Sequence, residues 1–430
     1  MRVLYVDLCP SPGGSNISLL HLVSRLDRGQ VQPLVALAAI NPFTRFEEAG
    51  IPVVRIHNPR WERQPAASMA SASHGEAQRL PSAARWLPDD RGQTGMFAAA
   101  MRGGPWSAGL WRAAGGARRL VRDEIPVALS LHRIMRSFRP HLVHLNDVLP
   151  LNRSGVMASR SAGLPVVCHC RSFDTAMPAD TRWLLPGVDG MIFISQAVAQ
   201  VHLAATPLLR HHAVIPNAVD LGDFAGPVDR GAVRASLGVA ADAPLIVMAG
   251  RISPWKGQHV FLQALAHLRA SHPQAHGVIV GLAEEVDGPG YAGSLQDLAC
   301  SLGLAETLHM VGFRRDMPQV LGASDLVVHC SVKPEPFGRV IIEGMAAGRP
   351  VIASDQGGAA EIISDGVDGL LTPAGDPVAL AAAIQRLLDD PEQRRRLGRA
   401  GRCTVAQRYQ VGAHARSVLA FYERILASEA

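Results

Sequence analysis

The chain has 430 residues, 48% hydrophobic and 18% charged, with a formal net charge of +5, which excludes wholesale disorder and predicts two domains. No apolar run approaches the roughly 18 residues that cross a bilayer, and residues 1–8 lack a signal peptide's basic start and small-residue cleavage site, so a cytoplasmic protein is expected. The basic excess is local: 13 arginines stand against six acidic residues between positions 60 and 140, which leaves the remainder slightly acidic.

In chain order, the first half reads as strands at 2–6, 32–37, 53–56, 141–145, 165–169, 190–194 and 213–215, separated by helical stretches, the sign of a parallel sheet. Gly13 and Gly14 end the first strand and open a helix through Ser15 and Asn16. Asn146 and Asp147 end the fourth strand and His169 ends the fifth, where open α/β sheets bind ligands; His144, alternating with them, is expected in the core. Cys168 and Cys170 flank His169 on that strand, so the three alternate faces and make a poor metal cage. The six cysteines are scattered, mostly within apolar runs, and are expected to be reduced, buried thiols. Residues 58–125 hold Trp61, Trp86, Trp106 and Trp111, several Gly-Gly pairs and no convincing strand. Arginine with tryptophan suits an anionic membrane surface, and a low-complexity insertion explains the same composition. No nucleic-acid recognition motif accompanies the charge.

A linker rich in small residues, at 219–243, leads to strands at 245–248, 277–280, 308–311, 326–329 and 351–353, and helices at 376–389 and 412–427 close the chain. Between the strand at 245–248 and a helix at 258–269 lies the loop Gly250-Arg251-Ile252-Ser253-Pro254-Trp255-Lys256-Gly257. Lysine occurs only at 256 and 333 in a chain with 40 arginines, so its use here points to a site that needs a compact ammonium rather than a planar fork. The stretch Glu335-Pro336-Phe337-Gly338 is a turn, and 339–347 has helical composition that carries Glu343 and ends at Gly348-Arg349-Pro350. A helix N-terminus opening onto such a turn suits a phosphate, and the two carboxylates suit hydroxyl groups. A nucleotide-sugar offers both.

Together these elements resemble the retaining GT-B glycosyltransferases of family 4, also called group 1, with the pattern G-R-x-x-x-x-K-G followed about eighty residues later by E-x-F-G-x-x-x-x-E. Ile215 to Asp220, Val311-Gly312-Phe313 and Asp355 to Glu361 fall in the family's order. The resemblance implies two doubly wound Rossmann-like domains facing across a cleft: an acceptor-binding domain at 1–215, with the insertion at 58–125, and a donor-binding domain at 216–410. It further implies a helix at 411–430 crossing back to the first domain. It gives Arg251, Lys256, Glu335 and His169 to catalysis, and Gly14, Gly250, Phe337, Gly338, Arg339 and Glu343 to the donor. Gly13, Asn146 and Asp147 go to the acceptor side, where Cys170 departs from the Asp or Gly of many relatives.

Leaving of a nucleotide diphosphate requires positive countercharge. The chain contains no Asp-x-Asp to hold a metal, so Arg251, Lys256 and the N–H groups of Gly338 and Arg339 are expected to supply it. Glu343 is expected on the ribose and Glu335 beside the donor sugar. The expectation is therefore sugar transfer from a UDP- or GDP-sugar to a glycan or lipid-linked glycan, without metal, cofactor or nucleic acid, in the cytoplasm or on the inner face of the membrane. Another GT-B enzyme, an epimerase or a phosphorylase, and a non-catalytic nucleotide-sugar-binding subunit share the fold and stay open.

Overall fold

The computed structural model describes residues 1–10, 13–58, 120–175, 182–206, 209–283 and 290–428. Most of the Arg/Trp-rich segment expected at 58–125 lies outside the described residues. Seven strands form the first sheet: β1 (Arg2–Asp7), β2 (Gln32–Ala38), β3 (Val53–Ile56), β4 (Leu142–Asn146), β5 (Val166–Cys170), β6 (Gly190–Phe193) and β7 (His211–Val214). Six form the second: β8 (Leu245–Ala249), β9 (His276–Val280), β10 (Leu308–Met310), β11 (Leu326–His329), β12 (Val351–Ser354) and β13 (Leu370–Thr372). Every pairing is parallel, with strand orders β3-β2-β1-β4-β5-β6-β7 and β10-β9-β8-β11-β12-β13. In each sheet the order reverses beside its first strand, between β1 and β4 and between β8 and β11. Connections there leave in opposite directions and open a crevice at the strands' carboxyl ends. This is the GT-B arrangement of two doubly wound sheets.

The helices are α1 (Gly14–Ser24), α2 (Arg45–Glu48), α3 (Ile125–Phe138), α4 (Arg153–Ser161), α5 (Gln196–Ala205), α6 (Arg230–Ser236) and α7 (Gln258–Leu268). They continue with α8 (Tyr291–Ser301), α9 (Met317–Ala323), α10 (Arg339–Ala346), α11 (Gly358–Ile362), α12 (Pro377–Asp389), α13 (Pro391–Arg408) and α14 (Val411–Ser428). None of the described helices is long and apolar enough to cross a membrane.

Strand alternation sorts the first sheet's residues. Val3 and Tyr5 face one core, and Leu4 and Val6 another. The first of these cores is closed by α14, whose Val411, His414, Ala415, Val418, Phe421, Tyr422 and Ile425 recur at helical spacing and are buried. The helix approaches β6 at Gly190, where an added Cβ would lie 2.8 Å from Ile425 and Phe421. Burying Phe421, Tyr422 and Ile425 stabilises this docking by roughly 1.5–3 kcal/mol each. The chain's closing helix thus completes the first domain's core. The other core is continuous between the halves, running from Leu4, Val6 and Leu145 to Val247, Phe337 and Ile341.

Three elements differ from expectation. The segment 219–243 is not a plain linker, because Asp229 accepts from the Ala232 N–H and starts α6. β13 is a three-residue edge strand. α13 is so rich in arginine that its buried stripe is only Leu397, Gly398, Gly401 and Val405, too thin to read as periodicity. Cys168, Cys170 and Cys330 are buried thiols, but Cys300 and Cys403 are exposed, because they lie on the outer faces of α8 and α13.

Candidate active site

On the donor side, β8 and β11 are neighbours, with Met248 paired to Val328. Their following loops therefore leave side by side, the Gly250–Gly257 loop against the 330–338 turn. Gly257 has φ 79°, and an added Cβ there would lie 2.0 Å from the Cys330 carbonyl oxygen. Only glycine permits that approach. It brings Lys256 Nζ within 2.7 Å of Glu335 Oε2 and 4.1 Å of the centre of the Trp255 ring. His329 Nε2 and Ser331 Oγ reach the same oxygen, at 3.0 and 3.1 Å. Glu335 is 8% exposed. Burial pushes its carboxyl up, but the Lys256 ammonium and the His329 bond outweigh burial and hold it well below the usual carboxylate range. Arg251 is half-buried at the start of the loop, and its carbonyl accepts from Gln258 Nε2 at 2.8 Å.

The Glu335–Gly338 turn is clasped by a second glycine pair. The Gly358 N–H donates to the Glu335 carbonyl at 2.7 Å, and a Cβ on Gly357 or Gly358 would come within 2.4 or 2.6 Å of turn backbone. Gly338 (φ 94°) then starts α10. The Phe337 ring is buried edge-on against Tyr409, 5.9 Å between centroids. Its side chain therefore belongs to the core, and only its backbone is left at the turn.

This turn also meets the first domain. Ser195 Oγ donates to the Pro336 carbonyl at 2.7 Å, and the Glu361 carboxylate accepts from the Gln196 and Ala197 N–H groups at 2.8 and 2.7 Å. An acid of one domain thus caps a helix of the other. Arg339 donates to Glu343 Oε1 at 2.7 Å and extends to the Gly14 carbonyl and Ser18 Oγ at 3.2 and 3.3 Å. Glu343 and Gly14, both expected at the donor, are joined through this guanidinium.

In the first domain, polar residues at the ends of β1, β4 and β5 form a buried network. Asp7 Oδ2 accepts from Asn16 Nδ2 at 2.8 Å and Asn146 Nδ2 at 2.7 Å, and Asn16 Oδ1 holds the Gly13 N–H at 2.9 Å. Burial, reinforced by Asp147, raises the Asp7 carboxyl to about 6. Asp147 sits at φ 74°, an uncommon conformation for a non-glycine residue, and burial pushes its carboxyl up as well. Arg171 donates to Asn146 Oδ1 and Asn217 Oδ1, both at 2.7 Å, and burial lowers its guanidinium to about 10. His169 is 0% exposed; its ring lies 5.4 Å from that of His144 and stacks on that of His414 at 5.9 Å, and its Nε2 has no partner. Its Nδ1 lies 3.3 Å from an Arg171 guanidinium nitrogen, so His169 is buried between α14 and this network. Among the described residues no three His, Cys, Asp or Glu side chains form a cation cage.

Of the residues singled out in the sequence, the structure brings Lys256 to Glu335 and Asn146 into the network beside Asp147; Asp7, Arg171, His329 and Ser331, which join these contacts, were not singled out. Asp7 left a signal: it ends an apolar strand just ahead of the paired glycines.

The family model described as glycosyl transferases group 1 matches residues 229–404, and that of glycosyltransferase family 4 matches residues 92–223. A D-inositol 3-phosphate glycosyltransferase from Streptomyces avermitilis is 31% identical over 65% of this chain and 66% of its own. The chain spans about half of further relatives of that name, 51% and 52%. A 2-deoxystreptamine glucosyltransferase from Streptomyces kanamyceticus is 30% identical over 67% of this chain and 78% of its own. Anabaena HepE, solved in complex with UDP-glucose, superposes with a TM-score of 0.75 at 26% identity over 99% of this chain and all of that one.

Proposed function

The chain belongs to the group 1 glycosyltransferases of family 4, and from that membership we propose that it moves a sugar from a nucleotide-diphosphate donor to a hydroxyl acceptor with retention of configuration. It is a transferase enzyme. The observation that carries the finer reading is the Lys256–Glu335 pair, 2.7 Å apart at the switch point of the second sheet. The ammonium gives Glu335 one of its three protons and keeps others for the departing diphosphate. Arg251 and the N–H groups opening α10 add to it, so that the developing charge meets fixed dipoles rather than reorganising water. Glu335 faces the sugar, and Glu343 takes the ribose once its pairing with Arg339 is shared. Across the cleft Asn146 and Asp147 receive the acceptor hydroxyl.

The HepE complex supports a UDP-sugar as the first donor to try, ahead of a GDP-sugar. The acceptor is a glycan or lipid-linked glycan of the envelope or an exopolysaccharide. A polyhydroxylated ring is a second reading, favoured by two relatives named for inositol phosphate and deoxystreptamine. Without Asp-x-Asp in the sequence, the reaction needs neither metal nor cofactor.

The test is nucleotide release from UDP-glucose and GDP-mannose in excess chelator. The parent is expected to turn over one of them. Lys256→Ala is expected to be about a hundredfold slower or more, roughly 3 kcal/mol of transition-state stabilisation. Loss of parent activity restored by manganese, or full turnover by folded Lys256→Ala, would overturn this mechanism.

A further inference from the structure

β11 is an apolar strand, Leu326-Val327-Val328, that ends on a polar side chain with no place in the core. His329 is 4% exposed, and Ser331, two residues on, is fully buried on the same side of the chain. Both reach the oxygen of Glu335 that Lys256 holds: Nζ at 2.7 Å, His329 Nε2 at 3.0 Å and Ser331 Oγ at 3.1 Å all converge on Oε2. Among the described residues nothing donates to Oε1. A carboxylate only accepts, so His329 Nε2 carries a proton. Nδ1 of the same ring is buried without a partner, which leaves the bonds at Nε2 as the ring's polar anchor.

Lysine alone could not select between the two oxygens. Its ammonium ends a flexible stem and would follow either one through a rotation of the carboxyl. A ring fixed at the end of a central strand does not follow. We infer that His329 is a positioning residue: it pins Oε2 of Glu335 on the protein side, together with Ser331, so that Oε1 alone is presented to the donor sugar. This rests on the reading of Glu335 as a donor-sugar contact. Pre-setting that oxygen saves rotation in the transition state, where a small misplacement of a polar group is costly.

The test uses the full chain with whichever of UDP-glucose and GDP-mannose the parent turns over. His329→Phe keeps the ring volume and removes the donor; His329→Gln carries an amide N–H near the position of Nε2. Phe is expected to lower kcat at least tenfold while the Kd for the free nucleotide stays within about twofold, and Gln to recover most of the rate. The acid limb of the kcat profile is expected to move toward neutral pH in the Phe variant, because Glu335 has lost a donor, and to stay in place with Gln. In a Glu335→Gln background, His329→Phe is expected to add no further loss. Parental kcat for His329→Phe beside a slow Glu335→Gln would overturn the inference and leave the reading of Glu335 standing. Parental kcat for Glu335→Gln would instead overturn that reading. If the Phe variant does not fold, Ser331→Ala takes its place: a kcat loss at unchanged nucleotide Kd supports the pinning, and no change overturns it.

Discussion

Two residues far apart in sequence, Lys256 and Glu335, could be assigned to one site because each stands out locally, the rare lysine before a glycine and the acid before Pro336, and the family resemblance joins their motifs; their direct pairing was not legible. His329 and Arg171 could not. His329 ends an apolar strand and Arg171 directly follows β5, and nothing in their neighbours says which polar atom each will meet. The same limit explains His169, which reads as a cleft residue but is covered by His414, a contact set by α14 some 245 positions away. That covering has a measurable consequence. Burial holds the His414 imidazole down at about 4, and holds His144 and His169 well below their ordinary value, with Arg171 adding to each. These rings stay neutral in the folded protein and gain protons on unfolding below about pH 6.5. Their stabilisation is full above that value and is lost as pH falls toward 4. Asp7, raised to about 6, acts oppositely: its contribution is full below about 4 and fades as pH rises through 6. Asp147, raised by burial as well, acts in the same sense as Asp7; three imidazoles outweigh the two carboxyls, so the thermal midpoint is expected to drop between pH 7 and pH 5. His414→Asn keeps a donor for the Pro216 carbonyl, which Nδ1 meets at 2.8 Å, and should flatten that drop. Over the whole span the imidazole accounts for about 3 kcal/mol. An unchanged drop would mean that His414 titrates normally.

At the scale of elements, the sequence marked helices by their boundaries better than by their faces. α10 and α12 were legible because Gly338 and Asp376 start them and Gly348 and Asp390 follow them. α13 was not, since its face toward the protein is two glycines and two aliphatic residues; β13 is too short to alternate. α5 was unremarkable in sequence, yet its N-terminus is where the domains meet. Glu361 supplies two charge-assisted bonds there, on N–H groups that would otherwise be left over at the helix start. Glu361→Ala is expected to cost about 1–2 kcal/mol. Hydrogen exchange at the Gln196 and Ala197 amides should accelerate while amides in β4 keep their protection. Uniform exchange rates before and after the change would show the cap to be idle.

For the whole molecule, strand-helix alternation was enough to read two parallel sheets, and the family resemblance supplied their GT-B pairing. The strand order was not legible, because hydrophobic runs such as 142–146 and 245–249 name no neighbour. Order is what brings the 330–338 turn beside Lys256. The surplus of arginine between 60 and 140 acts at this scale too. If the Arg/Trp-rich segment carries the enzyme to anionic lipid, a variant with residues 62–122 replaced by a short Gly/Ser linker should lose co-sedimentation with anionic liposomes at low salt. The parent should lose it as added salt shortens the Debye length below about 8 Å. Equal sedimentation of both would make the segment a neutral insertion.

The docking of α14 on the first domain bears on how the chain is born. Val3, Tyr5, Val167 and Ile192 wait for Val418, Phe421 and Tyr422 to cover them, and roughly 200 residues lie between β7 and that helix. At about 5–20 residues per second of synthesis, the wait lasts about 10–40 s. During it Leu19, Leu22 and Val23 of α1 already cover one part of that face, the part reserved for α14 stays open to water, and the first domain's core closes only after the second domain has been made.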